Sequence, residues 1–294
     1  MSRSTSLPVL LVVFALITGG CSNVDDPVAP AASSGSETGT VHITPEPEDL
    51  AAAWTLTGPG GYTRSGSGAE ILAELTPGEY SVTWVPLRGY QTPDAEQQIL
   101  SGDSLVTFTG AYTLHATADD AIASFRAAYA ARKLDAYGSL LSQEFFWIPT
   151  APAEPWPYVT EMAVADQMFN GLAGNNSYVI SHISFDQLEP QGLWQPTPPN
   201  DPNFGACSDS RLRYYMVDIK FFISGRDLIL RVQGGANFYV FPVSTGEVTF
   251  YEILGISDMT LGGYAVRAKA AGNEMDLGKA TENMTWSSVK ALFH

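Results

Sequence analysis

The sequence predicts two folded parts of different class: an N-terminal all-β small sandwich and a C-terminal α+β cone, in which helices pack on a curved, mostly antiparallel sheet. Residues 41–113 consist of short stretches in which apolar and polar residues alternate, separated by turns that contain glycine or proline. This is the pattern of a small sandwich. From residue 117 onward, apolar residues recur first at helical and then at strand spacing, which indicates an α+β domain.

The clearest strand of the first part lies in the sequence LTPGEYSVTW. Pro77 and Gly78 predict a turn. Tyr80, Val82 and Trp84 then alternate with small hydroxyl residues, as a half-buried strand requires.

Residues 41–113 resemble the PEGA and carboxypeptidase-regulatory-like β-sandwich modules. The residues that carry this resemblance are Gly39, Val41–Ile43, Leu75–Tyr80, Gly110 and Tyr112. The resemblance implies a spacer or a binding unit rather than an enzyme.

Three helices are predicted at the start of the second part. Thr117 is placed to cap the first helix, and Asp120 stands at its third position, as in a capping box. A second helix is predicted in LDAYGSLL. A third is predicted from an N-cap at Thr160 to Leu172. The residues predicted to face inward are Ile122, Phe125 and Tyr129 on the first helix and Met162, Met168, Phe169 and Leu172 on the third.

The remainder of the chain is predicted to be mostly strand, with a bend at Gly234 and Gly235. A short strand or extended turn is expected in EFFWIP, and a closing helix in TWSSVKALF. A long loop is expected at Leu188–Ser210. The predicted strands are Tyr178–Phe185, Arg211–Ile223, Asp227–Val232, Ala236–Pro242 and Val248–Ile256.

Residues 117–294 resemble the NTF2-like (SnoaL-like) superfamily. The residues that carry the resemblance are Phe125, Tyr129, Leu134, Tyr137, Leu140, Leu141 and Phe145, followed by the strand series to Ile256. The resemblance implies a cone with one internal cavity. It also implies that an enzyme of this kind would use a carboxylate or a histidine set in that cavity.

The sequence ALITGGCSNVDD places Cys21 after an apolar run and three small residues. Residues 1–20 are predicted to be a signal peptide, and the run into the cysteine resembles the lipobox of bacterial lipoproteins. That resemblance implies that Cys21 is acylated and becomes the first residue. The alternatives are plain secretion, with a free Cys21 or a bridge to Cys207, and a retained N-terminal anchor.

The predicted location is the bacterial cell envelope, where a lipid on Cys21 would hold the protein to a membrane. Ser22 and Asp25 favour the outer membrane over the inner one. Residues 21–40 are rich in proline, alanine, serine and glycine, which predicts a flexible tether. The formal net charge of −16 argues against nucleic acid as a partner.

Asp218 is the first candidate for catalysis, because it lies in the otherwise apolar or aromatic sequence RYYMVDIKFF. A carboxylate in an apolar cavity can act as a general base. If Ser224 and Gly225 form a two-residue turn, however, Asp218 faces Arg231 in an ordinary cross-strand pair. The second candidate is His182, which would either line the cavity or be a hydrogen-bonded edge or core histidine.

Five aromatic residues are candidates for an apolar ligand pocket: Trp147, Trp156, Tyr214, Tyr239 and Tyr251. The alternative is that they fill the core. The histidines and cysteines do not occur at metal-ligand spacing, and no cofactor motif is present, so neither a metal nor a cofactor is predicted.

The function predicted from the sequence is that of a non-catalytic envelope lipoprotein whose cone binds a small apolar ligand or a partner protein. The alternative is a cone-fold enzyme of the isomerase, dehydratase or hydrolase type. A third possibility is an interaction module whose cone is filled by its own side chains.

Overall fold

A computed structural model describes residues 37–150, 154–174, 177–260 and 280–294. The predicted signal peptide, Cys21 and the tether as far as residue 36 lie outside the described residues. Within the described ranges, no helix combines the length and apolar character needed to cross a membrane.

The described residues divide into a strand-rich first part and a second part that contains both helices and strands. The strands are β1 (Gly39–Glu46), β2 (Ala53–Gly58), β3 (Tyr62–Ser67), β4 (Glu70–Leu75), β5 (Gly78–Trp84), β6 (Tyr90–Gln91), β7 (Glu96–Leu100), β8 (Leu105–Ala111), β9 (Thr113–Leu114), β10 (Leu141–Ile148), β11 (Trp156–Pro157), β12 (Ile180–Pro196), β13 (Arg211–Ile223), β14 (Leu228–Thr245), β15 (Val248–Thr260) and β16 (Ala280–Met284). The helices are α1 (Ala118–Ala130), α2 (Leu134–Leu140), α3 (Tyr158–Phe169) and α4 (Trp286–Ala291).

Strands β1–β9 form the sandwich, residues 39–114. One sheet has the order β4-β1-β8 and the other β3-β2-β5-β7, while β6 pairs with β9. The alternation predicted for β5 is confirmed, because Tyr80, Val82 and Trp84 are buried in the core between the sheets. Thr83, between two of them, is exposed.

The chain enters and leaves the sandwich at opposite ends. β1 pairs in parallel with β8, so that Thr40 stands beside Leu105 and Glu46 beside Ala111. The chain therefore arrives at the Leu105 end and departs for α1 from the Ala111 end. At about 3.3 Å per residue, β1 separates these ends by roughly 26 Å. β1 begins at Gly39, two residues inside the segment predicted to be tether.

The helix–sheet domain comprises the described residues from 117 to 294. Its sheet has the order β11-β10-β15-β14-β13-β12, and β16 pairs with β14. The long pairings are antiparallel, whereas β10–β15 and β14–β16 are parallel. Helices α1, α2 and α3 share one apolar cluster with one face of this sheet.

The predictions for the first and last helices are confirmed. Thr117 and Asp120 form the predicted capping box at α1, which satisfies two backbone N–H groups at the helix start. The closing helix is α4, and its N-cap Thr285 accepts a hydrogen bond from the Ser288 N–H. The sequence EFFWIP belongs to a full strand, β10.

The predicted bounds of the third helix were wrong. Helix α3 begins at Tyr158, because Pro157 at its N-cap needs no N–H partner there. It ends at Phe169, before Gly171 with φ of +67°, a backbone conformation that ends helices. Leu172, predicted to face inward, is exposed.

The predicted long loop at Leu188–Ser210 was also wrong in its first half. Strand β12 continues to Pro196 and shows three register shifts against β13. Pro190 is tolerated because β12 is an edge strand, where a missing N–H does not break a ladder on the open side.

Strand β14 replaces the two separate strands predicted on either side of Gly234 and Gly235. The chain passes through this point as one continuous strand. A Cβ atom at Gly235 would lie 1.9 Å from the Tyr214 hydroxyl oxygen, so glycine is required by this close approach.

Candidate functional site

The interior of the helix–sheet domain, where the sequence predicts a cavity, is occupied by aromatic side chains. The ring of Trp286 on α4 lies 4.9 Å from that of Trp147, 5.8 Å from that of Tyr129 and 6.2 Å from that of Phe125, measured between centroids. All four residues are fully buried. Side chains of the chain itself therefore occupy this part of the interior.

The five aromatic pocket candidates do not line one pocket. Trp147 belongs to this interior, and Tyr251 packs at its edge. Trp156 is half-buried against the His294 ring. Tyr239 belongs to a separate apolar cluster with Phe204, whose ring centroid is 4.5 Å from its own, and the half-buried Tyr214 packs against Gly235.

Asp218 lies on the face of β13 opposite the side chains that face the helices. Its carboxylate accepts hydrogen bonds from Arg231 Nε at 2.9 Å and Nη2 at 2.5 Å, and from Gln233 at 3.1 Å. This hydrogen bonding raises the pKa of Arg231. The arrangement is that of a structural ion pair.

The predicted register of this hairpin was wrong by two residues, although the two charged groups do meet. Asp218 stands opposite Gln233, and Lys220 stands opposite Arg231. The reason is a four-residue connection between β13 and β14 in place of the two-residue turn at Ser224 and Gly225. The pair therefore forms diagonally across the strands.

The other two predicted groups also lie away from the interior. His182 is an exposed edge-strand residue whose ring packs 5.4 Å from that of Phe222. Cys207 is a half-buried free thiol beside the Phe204 cluster. Cys21 lies outside the described residues.

Glu161, Lys290 and Tyr137 form a buried polar group that the sequence did not reveal. Glu161 Oε1 accepts hydrogen bonds from the Tyr137 hydroxyl at 2.6 Å and from Lys290 Nζ. All three side chains are fully buried. Glu161 Oε2 has no hydrogen-bond partner among the described residues.

Aromatic rings complete the surroundings of the Lys290 ammonium. Nζ lies 4.0 Å from the centroid of the Trp147 ring and 5.7 Å from that of Tyr129. Burial lowers the pKa of Lys290, against the opposing effect of Glu161. Burial also raises the pKa values of Tyr129 and Tyr137, and the Glu161 charge adds to both.

Asp258 holds the start of α4 in this interior. Its Oδ2 atom accepts from the Ser287 backbone N–H at 2.6 Å and from the Ser287 hydroxyl. Its Oδ1 atom accepts from Thr260, whose hydroxyl oxygen accepts from the Trp286 N–H at 2.9 Å. The carboxylate thus satisfies donors that a helix start leaves open.

A periodicity signal for these charges was present in the sequence. Glu161 precedes Val164, Ala165 and Met168 by three, four and seven residues, which puts it on the buried stripe of α3. Lys290 follows Trp286 by four residues, which puts it on the buried face of α4. A charged residue at a core position of each of two helices was the clue to an interior ion pair.

The sandwich and the helix–sheet domain meet at a seam that contains two ion pairs. Arg88 of the sandwich binds Glu252 of β15 through Nε and, at 2.7 Å, through Nη2. Lys133 binds Asp94. Gly89, with φ of +83°, packs so closely that a Cβ atom would lie 2.6 Å from the Phe250 ring.

His115 joins the two parts through its backbone. Its N–H donates to Gly89 O at 2.8 Å, and its carbonyl accepts from the Tyr251 N–H at 3.0 Å. Neither ring nitrogen has a hydrogen-bond partner among the described residues. Burial lowers the pKa of His115 to about 4.

Open grooves lie along this seam. Two grooves of 420 and 330 Å³ share Arg88 and Gln143 in their walls. A smaller one of 210 Å³ lies between Tyr90 and the helices α1 and α2. Among the described residues, no group of three or more His, Cys, Asp or Glu side chains could hold a metal ion.

Solved structures similar to this chain align with about half of it. A conserved protein from Planctomyces limnophilus is 10% identical over 49% of this chain and 92% of its own, with a TM-score of 0.33. An NTF2-like protein of unknown function in nutrient uptake from Rhodospirillum rubrum is 10% identical over 48% and 95%, with a TM-score of 0.30.

An NTF2-like protein from Cytophaga hutchinsonii is 9% identical over 47% of this chain and 90% of its own, with a TM-score of 0.29. No family model matches the sequence, and no curated protein matches it.

Proposed function

We propose that this protein is a bacterial envelope lipoprotein, anchored through a lipid on Cys21, whose helix–sheet domain is non-catalytic and binds a partner protein through its outer surface. The observation that carries the proposal is the closed interior of that domain. A drug-sized ligand needs a pocket of about 300–1,000 Å³. Here Trp286 and Lys290 are fully buried in the interior, where the resemblance implies a cavity.

In this proposal, the sandwich is a rigid spacer. β1 begins beside Leu105 and ends beside Ala111, so the described chain enters the sandwich at one end and leaves for the helix–sheet domain at the other. The seam at Arg88, Glu252 and Gly89 fixes the sandwich to the domain. Such a spacer would hold the binding surface at a defined distance from the end of the tether.

The charge of the described residues indicates the kind of partner surface. They contain 27 acidic and 11 basic residues. Most of the basic side chains already form ion pairs with acidic side chains of the same chain, as Arg88, Arg213, Arg231 and Lys290 do. We therefore expect the partner to present basic or neutral groups, since electrostatic complementarity steers association.

A cone-fold enzyme of the isomerase, dehydratase or hydrolase type is the second candidate. The observation in its favour is the buried set of Glu161, Lys290 and Tyr137, because buried charged groups cluster at functional sites. Asp218 and His182 do not serve this alternative, since neither faces the interior. Substrate access would require α4 to leave.

The anchor is tested by growing producing cells with radioactive palmitate. The wild type and Cys207→Ser should both carry the label and sediment with membranes, whereas Cys21→Ser should lose the label. An unlabelled wild type, or a labelled Cys21→Ser variant, contradicts the anchor.

The binding surface is tested by photo-crosslinking in intact cells. A photoreactive residue is placed at exposed apolar positions of the helix–sheet domain, Val159, Leu193 and Met259, and at matched positions of the sandwich, Ile71, Ile99 and Leu105. We expect adducts with one partner protein from the first set. Adducts from the sandwich set alone, or from neither set, contradict the proposed roles.

A further inference from the structure

Helix α4 and the residues after it place several buried side chains in the interior of the helix–sheet domain. Trp286, Val289, Lys290 and Phe293 come from one short C-terminal stretch, and all are buried. Trp286 contributes a flat ring that meets four aromatic rings, those of Trp147, Tyr129, Phe125 and Phe185. Lys290 contributes an ammonium group.

The walls around the ammonium form an amine cradle, which we define as Glu161, Tyr137, Trp147 and Tyr129. The Glu161 carboxylate neutralises the positive charge of the ammonium. The Tyr137 hydroxyl donates to Glu161 Oε1 at 2.6 Å and so fixes the orientation of the carboxylate. The Trp147 ring presents its π system at 4.0 Å. A carboxylate and aromatic rings around a desolvated site are the groups that recognise ammonium cations.

The cradle offers more acceptor capacity than Lys290 uses. Glu161 Oε2 is buried without a hydrogen-bond partner among the described residues, whereas buried polar atoms normally have one. A primary ammonium placed between the two carboxylate oxygens could donate to both.

Trp286 and Lys290 are four residues apart on α4, so their side chains lie on the same face of the helix. Both contact Trp147: Lys290 Nζ lies 4.0 Å from its ring centroid and the Trp286 ring centroid lies 4.9 Å from it. One small molecule that joins an aromatic ring to an amine through a short alkyl chain could therefore reach both positions.

We propose that the interior of the helix–sheet domain is a binding site for arylalkylamines, and that the chain occupies this site itself with Trp286 and Lys290. The ligand would enter by displacing α4. This site is additional to the outer surface proposed for a partner protein, and it does not depend on the anchor at Cys21. Only a fraction of the wild-type molecules has α4 displaced. The apparent affinity of the wild type for the ligand is therefore lower than the affinity of the open site, in proportion to that fraction.

The first experiment empties the site in the full chain. In the Trp286→Ala/Lys290→Ala variant, tryptamine supplies the missing indole and ammonium, and calorimetry measures its binding. We expect tryptamine to bind at least tenfold more tightly than indole-3-propionate, which has a similar ring and the opposite charge. Adding Glu161→Gln should weaken tryptamine binding at least tenfold. Equal binding of the two probes, or no binding by the folded variant, overturns the proposal.

A milder variant covers the case in which the double variant does not fold. Lys290→Ala leaves room for methylammonium beside Glu161, so methylammonium chloride should raise its melting temperature in a saturable way. Tetramethylammonium chloride at the same concentration should not, and neither salt should shift Lys290→Met selectively. The absence of a selective shift, or two variants that stay unfolded with and without amine, overturns the proposal.

The displacement of α4 by the ligand is tested in the wild type. Saturating tryptamine should speed hydrogen exchange at the backbone amides of residues 286–291 at least threefold, and indole-3-propionate should leave it unchanged. Unchanged exchange with tryptamine shows that α4 is a permanent part of the core and overturns the proposal.

Discussion

The two folded parts of this protein bury different chemistry. In the described residues from 37 to 114, every buried side chain is apolar or aromatic, and Phe108 and Trp54 are typical. The helix–sheet domain instead buries Glu161, Asp258 and Lys290 in its interior. Removing an ion from water costs several kcal/mol. The sandwich core therefore depends on apolar packing, whereas the helix–sheet domain also has to compensate the charges that it buries.

The largest expected effect comes from breaking the interior ion pair. Lys290→Met leaves Glu161 buried without its cation, which should lower the free energy of unfolding by about 3–5 kcal/mol. Urea unfolding measures this loss. Glu161→Gln/Lys290→Met should recover most of it, because both charges are then gone. A double variant as unstable as the single one would mean that the loss reflects packing, as in the sandwich.

The next largest effect is a pH-dependent change in stability at His115, whose backbone joins the sandwich to the helix–sheet domain. The folded-state pKa of about 4 lies below the value of about 6.5 expected in the unfolded chain. Protonation of His115 therefore favours unfolding. The contribution of the neutral ring to the free energy of unfolding is fully present above pH 6.5 and is lost as the pH falls towards 4. The full loss is about 3 kcal/mol.

The measurement compares urea unfolding of the wild type and His115→Phe at pH 7 and pH 4. The stability difference between the two proteins should change by about 3 kcal/mol in favour of the variant at the lower pH. Carboxyl titrations are shared by both proteins and cancel. A constant difference would show that the ring is not held neutral by burial.

A smaller effect is expected at the seam between the two parts. Arg88→Gln should lower stability by about 1–2 kcal/mol, since Glu252 is buried but the Arg88 side chain is 58% exposed and therefore partly screened. A double-mutant cycle with Glu252→Gln isolates the interaction free energy. No coupling would mean that the sandwich and the domain are held together by packing such as that at Gly89.

The smallest effect is expected at the exposed pair Lys133 and Asp94. Lys133→Ala should change the free energy of unfolding by less than about 1 kcal/mol, because exposed ion pairs are weak and screened by salt. The residual effect should vanish at 1 M NaCl, as thermal melts can show. An effect as large as that of Lys290→Met would remove the distinction between buried and surface charge.

Prediction from the sequence succeeded where a local pattern decides the structure. The capping box at Thr117 and Asp120, the alternation of β5 and the closing helix α4 depend on neighbouring residues. It failed at the bounds of β12 and α3 and at the register of the β13–β14 hairpin. In those places a strand partner or a close contact, such as that between Tyr214 and Gly235, overrides local preference.

The sequence by itself determined the strand-rich first part, the presence of helices followed by strands in the second, and the acidic charge. Only the tertiary structure decided what lies inside the helix–sheet domain. Glu161 and Lys290 are 129 positions apart, and the periodicity of each helix shows that a charge faces inward without showing which charge meets it. The physical reason is that a buried ion is tolerated only when the fold brings its partner to hydrogen-bond distance, and that distance is a property of the packed chain.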